Sequence, residues 1–334
     1  MKALFIGGTG TISEAVTRLS VRNGVELTLL NRGSHPEFAA DGVEQITADI
    51  NDEDAVKEIL LDRKFDVVAD FVAFVPEHVE RDIRLFSGKT GQYIFISSAS
   101  AYQKPLANYL ITESTPLCNP YWRYSRDKIA CENILAAAYR ATGFPITIIR
   151  PSHTYGEKNI PVSIHGKKGS YQVIDRILNG KPVIVHGDGL SLWTFTHNSD
   201  FARGFLGLMD NPHAIGEAVH ITSDETITWN SALASIGKAL GVTPNLVHIP
   251  SEFLSAFNPD LLGNLLGDKA NSVVFDNSKI KKLVPGFCAS VRFDQGVKRS
   301  VDYVMSHPEL QVLDPDFDAW CDRVIAAYCS GMLK

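Results

Sequence analysis

The residues best placed to do chemistry in this chain are a tyrosine and a lysine four positions apart, Tyr124 and Lys128. Residues at this spacing lie on one face of a helix, so both side chains can point into the same cleft. A free tyrosine has a pKa near ~10 and is a poor base at neutral pH. A lysine cation close by favours the phenolate and lowers that pKa. The spacing therefore predicts a tyrosine that accepts a proton from a substrate hydroxyl.

The second feature with chemical meaning is a glycine-rich turn near the N-terminus. The apolar run Lys2–Ile6 predicts a buried strand, three glycines follow within residues 7–10, and residues 11–23 carry apolar side chains at helical spacing. A strand, a glycine turn and a helix in this order place a pyrophosphate on the helix N-terminus, where free N–H groups and the helix dipole favour anions. The segment therefore predicts a dinucleotide site. Ser13 stands at the third position of the motif, where glycine would allow the closest packing of helix and strand. The candidate cofactor contacts of the segment are Gly7, Thr9, Gly10, Thr11 and Ile12.

The elements that must position these residues follow an alternating pattern. Through about residue 150, short apolar segments alternate with amphipathic ones, which indicates a parallel sheet covered on both faces. The six strands predicted there are residues 3–6, 27–30, 43–47, 67–71, 93–97 and 146–149. We predict an α/β fold, a Rossmann-type doubly wound parallel sheet with a smaller C-terminal α/β substrate lobe. The dinucleotide-binding domain is expected over residues 1–155, with a return segment near 190–222. The substrate-binding lobe is expected over residues 156–189 and 223–334.

The composition restricts the classes of partner. A net charge of −6 argues against non-specific nucleic-acid binding, which needs a basic surface. No apolar run approaches the roughly 18 residues of a membrane span, and no signal-type segment opens the chain. The five scattered cysteines indicate neither a disulfide framework nor a metal site. We expect a cytoplasmic protein with no metal, no membrane partner and no nucleic-acid partner.

Several segments together resemble the extended short-chain dehydrogenase/reductase family, which includes the NAD-dependent epimerases and dehydratases. These segments are residues 93–102, which contain Ser98, the Tyr124–Lys128 motif, and residues 150–156. The resemblance covers most of residues 1–205. It implies that Ser98 fixes the reacting substrate oxygen and that Lys128 holds the nicotinamide ribose. Tyr124 would then take the substrate proton while hydride leaves the same carbon for the cofactor.

The resemblance also implies the remaining cofactor contacts. An acidic residue at the end of the second strand would bind the ribose hydroxyls and indicate NAD. The chain has Asn31 and Arg32 there, and a guanidinium can pair with a 2′-phosphate, so we favour NADP(H) and leave NAD open. Asp49 with Ile50 resembles the family's adenine-contacting pair, and a helix N-cap at the Asp49–Asp52 turn is the alternative. The segment expected beside the nicotinamide contains Pro151 and His153.

One residue differs from the family's nucleotide-sugar epimerases and narrows the range of possible substrates. Those epimerases bind the nucleotide diphosphate with an arginine. Trp193 stands where that arginine would fall, and it offers a flat wall for a sugar ring but no charge. Arg292 could be a second phosphate contact or an ordinary surface arginine. The candidate substrate contacts are Ser98, Ser100, His153, Trp193 and Arg292.

These residues predict an epimerase or oxidoreductase that acts on a sugar, nucleotide-sugar or sugar-acid hydroxyl or ketone through Ser98, Tyr124 and Lys128. A simple dehydrogenase or reductase that releases its cofactor uses the same residues and stays open. A third alternative is a non-catalytic RNA-binding relative, because two segments also resemble the chloroplast stem-loop-binding proteins, which lack a complete Tyr-x-x-x-Lys. Family resemblance further implies a homodimer. The sequence offers no account of Asp70, an acidic residue at a strand end.

Overall fold

The computed structural model describes residues 1–33, 38 and 42–332, and its strands follow the alternation expected from the sequence. The strands, in chain order, are β1 (Lys2–Ile6), β2 (Glu26–Asn31), β3 (Glu44–Thr47), β4 (Phe65–Asp70), β5 (Thr90–Ile96), β6 (Leu110–Ile111), β7 (Ile146–Pro151), β8 (His153–Tyr155), β9 (Val183–His186), β10 (Leu192–Trp193), β11 (Phe195–His197), β12 (Ala218–Ile221), β13 (Ile227–Thr228), β14 (Leu246–Ile249) and β15 (Val274–Phe275).

The helices of the described ranges occupy the segments between the strands and most of the C-terminal part. They are α1 (Thr11–Arg22), α2 (Glu53–Ile59), α3 (Pro76–Phe86), α4 (Arg123–Thr142), α5 (Tyr171–Leu178), α6 (Asn198–Leu208), α7 (Trp229–Leu240), α8 (Ser251–Phe257), α9 (Leu261–Asn264), α10 (Ser278–Leu283), α11 (Phe293–Ser306) and α12 (Pro315–Met332), and a π-turn at Leu265–Lys269 directly follows α9. Within the same ranges, no helix is both long and apolar enough to cross a membrane.

Seven strands form one parallel sheet in the order β3-β2-β1-β4-β5-β7-β12. The chain runs from β1 out to β3 and then returns to the other side of β1 with β4. The strand order therefore reverses between β1 and β4, and a crevice opens there at the carboxyl ends of the strands. The predicted fold class is confirmed. The six strands predicted in the first 150 residues agree with β1–β5 and β7 to within three residues.

The two faces of this sheet are covered by different helices. Successive side chains of a strand point to opposite faces. Phe5 of β1 therefore packs with Val16 and Phe201 on one face, and Leu4 packs with Leu135 on the other. These faces are mostly apolar and buried, so the sheet is a rigid base from which the loops at its carboxyl edge project.

The C-terminal part is built from short strand pairs and helices around an aromatic core. The strand pairs are β11 with β8, β14 with β9, β10 with β13, and β15 with β6. Trp229 lies at the centre of this core, with ring centroids 5.2 Å from both Trp193 and Phe195. The division into two lobes at the boundaries given above stays a prediction.

Candidate active site

The glycine turn after β1 brings backbone segments into close contact. Gly7 has φ of +84°, and a Cβ there would lie 2.5 Å from the Val72 side chain. A Cβ on Gly8 would lie 2.6 Å from Leu29. Ser13, which stands where a third glycine was considered, closes the turn: its hydroxyl donates to Gly7 O at 3.2 Å and accepts from the Gly10 N–H at 2.8 Å. Only glycine fits the first two positions, as the dinucleotide motif requires.

A cavity of about 580 Å³ lies beside this turn, and we call it the cofactor groove. The side-chain amide nitrogen of Asn31 is buried there without a hydrogen-bond partner among the described residues. Such an orphaned donor fits an acceptor oxygen of a ribose or phosphate. Arg32 is exposed and also lines the groove. The predicted cofactor contacts that line the groove are Gly7, Thr9, Gly10, Asn31, Arg32, Asp49 and Ile50.

Asp49 serves the local turn as well as the groove wall. Its Oδ1 accepts from the backbone N–H of Asn51 at 2.9 Å. The N-cap of α2 is Asp52, whose carboxylate accepts from the Ala55 N–H at 3.2 Å. The N-cap predicted at the Asp49–Asp52 turn is thus formed by Asp52, and Asp49 closes the turn that leads to it.

Asp70 organises the floor of the groove, which accounts for an acidic residue at that strand end. Its Oδ1 accepts from the Val72 N–H at 2.5 Å, and its Oδ2 accepts from Arg81 Nη2 at 3.0 Å. Arg81 also bonds Asp82 and the Asn51 side chain, so one guanidinium serves two buried carboxylates. Burial raises the pKa of Asp82 well above its usual value because water is excluded from its charged form.

Tyr124 lies in the first turn of α4, beside a chain of hydroxyl groups. Its side chain lines one cavity together with Ser98, which follows β5. The Ser98 and Ser100 oxygens are 2.8 Å apart, and the Ser125 hydroxyl donates to Ser100 at 2.7 Å. Burial raises the pKa of Tyr124, and the Ser98 hydroxyl only partly offsets this effect. Desolvation therefore outweighs the lowering of this pKa that the tyrosine–lysine spacing predicted.

Lys128 lies one turn beyond Tyr124 and is fully buried. Its ammonium donates to the carbonyl oxygens of Ala73 at 2.6 Å and Ile96 at 2.7 Å. Burial lowers its pKa to about 8, so the group remains mostly cationic at neutral pH. Its Nζ is 5.7 Å from the centroid of the Tyr124 ring.

The helix that carries both residues is anchored by a buried ion pair two turns beyond Tyr124. Glu132 binds Arg150 of β7 through two hydrogen bonds, Nε to Oε1 at 2.9 Å and Nη2 to Oε2 at 2.5 Å. The Ser97 hydroxyl also donates to Glu132. A bidentate pair of this kind fixes geometry as well as supplying energy. It therefore holds α4 in register with the ends of β5 and β7.

A second cavity, of about 360 Å³, adjoins Ser98 and Tyr124, and we call it the substrate pocket. The predicted residues that line it are Ile12, Ser98, Ser100, Tyr124, Pro151, His153 and Trp193. The Trp193 indole N–H donates to His153 Nδ1 at 3.2 Å, so the ring proton of His153 is on Nε2. Burial lowers the pKa of His153 to about 3 and keeps the ring neutral.

Three predicted contacts lie elsewhere. Arg292 is exposed, pairs with Asp294 at 3.2 Å and does not line the substrate pocket. Thr11 lines a separate cleft together with Glu14. Lys128 is held behind the pocket by the two carbonyl groups rather than on a cavity wall.

The pocket also contains residues that the sequence prediction did not include. Asp268 and Lys269 reach it from the π-turn after α9, and Trp122 reaches it from the loop before α4. Trp122 is two residues from Tyr124 and could have been found by proximity in sequence. Nothing in the local sequence marks Asp268, because the π-turn that presents it is 140 residues away along the chain from the motif it joins.

The parallel sheet and glycine turn are those of enzymes of the extended short-chain dehydrogenase/reductase type. The chain belongs to the NAD dependent epimerase/dehydratase family, whose model matches residues 3–222. This match confirms the resemblance recognised in the sequence, and it extends that resemblance to the end of β12.

Two curated relatives show how varied proteins of this kind are. The chain is 29% identical over 273 residues to the chloroplast stem-loop binding protein of 41 kDa b from Arabidopsis thaliana, covering 75% of this chain and 67% of that protein. It is 23% identical over 289 residues to the 2′-dehydrokanamycin reductase of Streptomyces kanamyceticus, covering 86% of this chain and 80% of that protein.

Solved structures show the same fold over nearly the whole chain. The UDP-glucuronic acid 4-epimerase from Bacillus cereus in complex with NAD superposes with a TM-score of 0.72. Its sequence identity is 19%, and the match covers 92% of this chain and 97% of that chain. At this identity the likeness establishes the fold alone.

Proposed function

We propose that this chain catalyses reversible hydride exchange between a nicotinamide dinucleotide and a secondary hydroxyl or ketone of a carbohydrate, as an epimerase or oxidoreductase. The observation that carries the proposal is that Tyr124 and Ser98 line the same substrate pocket, with the Lys128 cation one helical turn from Tyr124. Family membership supports the same chemistry.

Each of the three residues has a distinct task in this proposal. Ser98 donates a hydrogen bond to the reacting substrate oxygen and orients it toward Tyr124. In the reductive direction, Tyr124 donates its phenolic proton to that oxygen, and the raised pKa of Tyr124 keeps the proton in place beforehand. In the oxidative direction the phenolate oxygen of Tyr124 takes the proton from the substrate hydroxyl. Lys128, as a cation, stabilises the phenolate that forms after transfer. The nicotinamide, when bound, supplies or accepts the hydride.

The groove fits a dinucleotide, and we infer a preference for NADP(H). The strand-end position carries the neutral Asn31, which offers a donor and no charge that would repel a 2′-phosphate. Arg32 is exposed at the same end and is free of any hydrogen bond or ion pair within the described ranges. A guanidinium in that place pairs well with phosphate. Asp49 and Ile50 also line the groove and are proposed to contact the adenine.

The substrate inferred for this site is a small carbohydrate. Trp193 contributes a flat apolar wall, and the pocket is near the lower end of the volumes typical of small-ligand sites. The likeness to a stem-loop binding protein keeps RNA binding as the second candidate. The complete Tyr124–Lys128 pair and the net charge of −6 favour catalysis over that role.

The proposal is tested by identifying the cofactor of the purified protein. The protein is denatured, and any released dinucleotide is identified by mass spectrometry. Stoichiometric NAD or NADP that survives purification supports an epimerase, because that cycle regenerates its cofactor. Reversible binding of added dinucleotide supports a dehydrogenase or reductase, which is then assayed for net hydride transfer to sugars. If neither dinucleotide binds, the proposal fails, and binding to stem-loop RNA becomes the next measurement. Gel filtration in the same preparation tests the predicted homodimer.

A further inference from the structure

Asp268 is an ionisable residue in the substrate pocket that the proposed chemistry does not use. It lines the same cavity as Ser98 and Tyr124. Its carboxylate has no hydrogen-bond or ion-pair partner in the part of the chain that the structure describes, although its backbone carbonyl accepts from Asn271. Its negative charge acts on Tyr124 and contributes to the raised pKa of the phenol. An unpaired carboxylate on a pocket wall is a group that a ligand can satisfy.

The segment that presents Asp268 is held firmly from several sides. The Ala270 N–H bonds Leu265 O at 2.9 Å and closes the π-turn. Lys269 O accepts from His186 Nε2 and from the Ser191 hydroxyl, both at 3.0 Å. Single π-turns of this kind are frequent at functional sites.

The same segment is also docked on the loop that leads into α4. Asn119 Nδ2 donates to Gly267 O at 2.7 Å. Gly263 lies so close to Trp122 that a Cβ there would be 2.3 Å from its indole ring. The position of Asp268 is therefore fixed relative to Tyr124, which follows Trp122 by two residues.

Two lysines lie near Asp268, yet neither forms an ion pair with it. The Lys269 ammonium donates to Asn264 Oδ1. Lys104 is buried, and its ammonium has no hydrogen-bond partner among the described residues. Their charges lower the pKa of Asp268, while burial raises it by a larger amount. Since the lysines do not occupy the carboxylate, both of its oxygens remain available to a ligand.

We propose that Asp268 is a specificity-determining residue, which accepts hydrogen bonds from the hydroxyl or amino groups that flank the reacting carbon of the substrate. The inference rests on the proposed function, which makes this pocket the carbohydrate site. A carboxylate accepts hydrogen bonds and repels other anions. The pocket therefore selects a sugar or amino sugar whose ring carries no carboxylate or phosphate at this position. Trp193, which offers no charge, fits the same class of substrate.

The test compares Asp268→Asn with Asp260→Asn, a matched loss of charge at an exposed residue that lines neither cavity. Binding of glucose, glucosamine and glucuronate to the protein saturated with cofactor is measured by calorimetry or saturation-transfer NMR. We expect the wild type to bind glucosamine and glucose more tightly than glucuronate. Asp268→Asn should weaken the binding of glucosamine at least about tenfold and the binding of glucose by a smaller factor, because hydrogen bonds to a charged group are lost. The binding of glucuronate should not be weakened. Asp260→Asn should bind all three sugars as tightly as the wild type does.

Two results overturn this inference. In the first, the wild type binds none of the three sugars, or Asp268→Asn binds them as the wild type does. In the second, Asp268→Asn weakens the binding of all three sugars equally, which indicates a structural role. Hydride exchange is measured separately on the same samples. Binding with the expected pattern but without any hydride exchange would refute the proposed function and leave the role of Asp268 intact.

Discussion

The cofactor groove and the substrate pocket open at the same edge of one sheet, but they are built in different ways. The groove is formed mainly by the short segments at the carboxyl ends of the four consecutive strands β1–β4, with Gly7 and Asn31 as representative members. The substrate pocket is assembled from side chains far apart in sequence, such as Ser98, His153 and Asp268. Dinucleotide binding therefore depends on local chain geometry, whereas substrate selection depends on how the C-terminal elements pack against the sheet. The two regions should respond differently to substitution.

The largest expected effect separates the chemistry from cofactor binding. Tyr124→Phe removes the proton donor but leaves the groove unchanged, so kcat should fall by about 10²–10⁴-fold. Cofactor affinity should stay within about twofold, because no groove contact is lost. Steady-state kinetics and cofactor titration measure the two quantities. Tyr121→Phe, at a partly exposed residue outside the pocket, is the control. A variant that keeps most of its kcat would remove Tyr124 from the mechanism.

The converse experiment damages the groove. Gly7→Ala places a Cβ at a φ of +84° and 2.5 Å from Val72. Strain and overpacking should cost about 2–4 kcal/mol in the free energy of unfolding. Dinucleotide affinity should fall at least about tenfold, since the backbone that faces the pyrophosphate is displaced. Denaturant unfolding and cofactor titration measure these effects, with Gly331→Ala, where a Cβ meets no neighbour, as the control. Unchanged affinity would contradict the placement of the pyrophosphate.

A smaller effect is expected from a substitution that tests which dinucleotide the groove prefers. Asn31→Asp introduces a carboxylate that repels a 2′-phosphate and can accept from ribose hydroxyls. Affinity for NADP should fall by about ten- to a hundredfold, while affinity for NAD is kept or improved. Titration with both dinucleotides gives the ratio. Asn108→Asp at an exposed turn is the control for charge alone. An equal loss of affinity for both dinucleotides would show that Asn31 does not lie beside the 2′ position of the ribose.

The smallest expected effect concerns the support of the substrate pocket. His186 is fully buried beneath the π-turn, and burial lowers its pKa from 6.5 to about 4. Below pH 6.5 the unfolded chain binds a proton that the folded chain does not, so the free energy of unfolding falls as the pH drops toward 4. At pH 5, His186 should lower the free energy of unfolding by about 2 kcal/mol relative to its value above pH 6.5. His186→Asn should flatten the pH dependence of unfolding by this amount. His213→Asn at the surface is the matched control, and an unchanged slope in His186→Asn would refute the assignment.

The sequence predicted the cofactor groove more completely than the substrate pocket. The strand-turn-helix pattern at residues 2–22 is a local property, and all but Thr11 and Ile12 of the turn contacts predicted there line the groove. The exchange of Gly for Ser13 in the turn could also be recognised, but not its hydrogen bonds to Gly7 and Gly10. Hydrogen bonds of this kind depend on the exact backbone geometry of the turn.

The substrate pocket shows where prediction from sequence ended. Tyr124 and Lys128 were identified because helical spacing relates them, but the rise in the pKa of Tyr124 depends on burial by elements that are distant in sequence. Arg292 was proposed from its residue type and is exposed beside Asp294. Asp268 was not found at all, because no local pattern brings a π-turn to the start of α4.

The sequence by itself determined the parallel sheet, the glycine turn and the tyrosine–lysine pair, because hydrophobic periodicity and residue spacing specify elements and faces within a short segment. Only the tertiary structure decided which charges are desolvated, which hydroxyls form a chain beside Tyr124, and which carboxylate faces the substrate. Those properties arise from residues that are distant in sequence, such as Ser98 and Asp268, which are 170 positions apart and line one pocket. Burial and hydrogen bonding at such contacts depend on the packed arrangement of the whole chain.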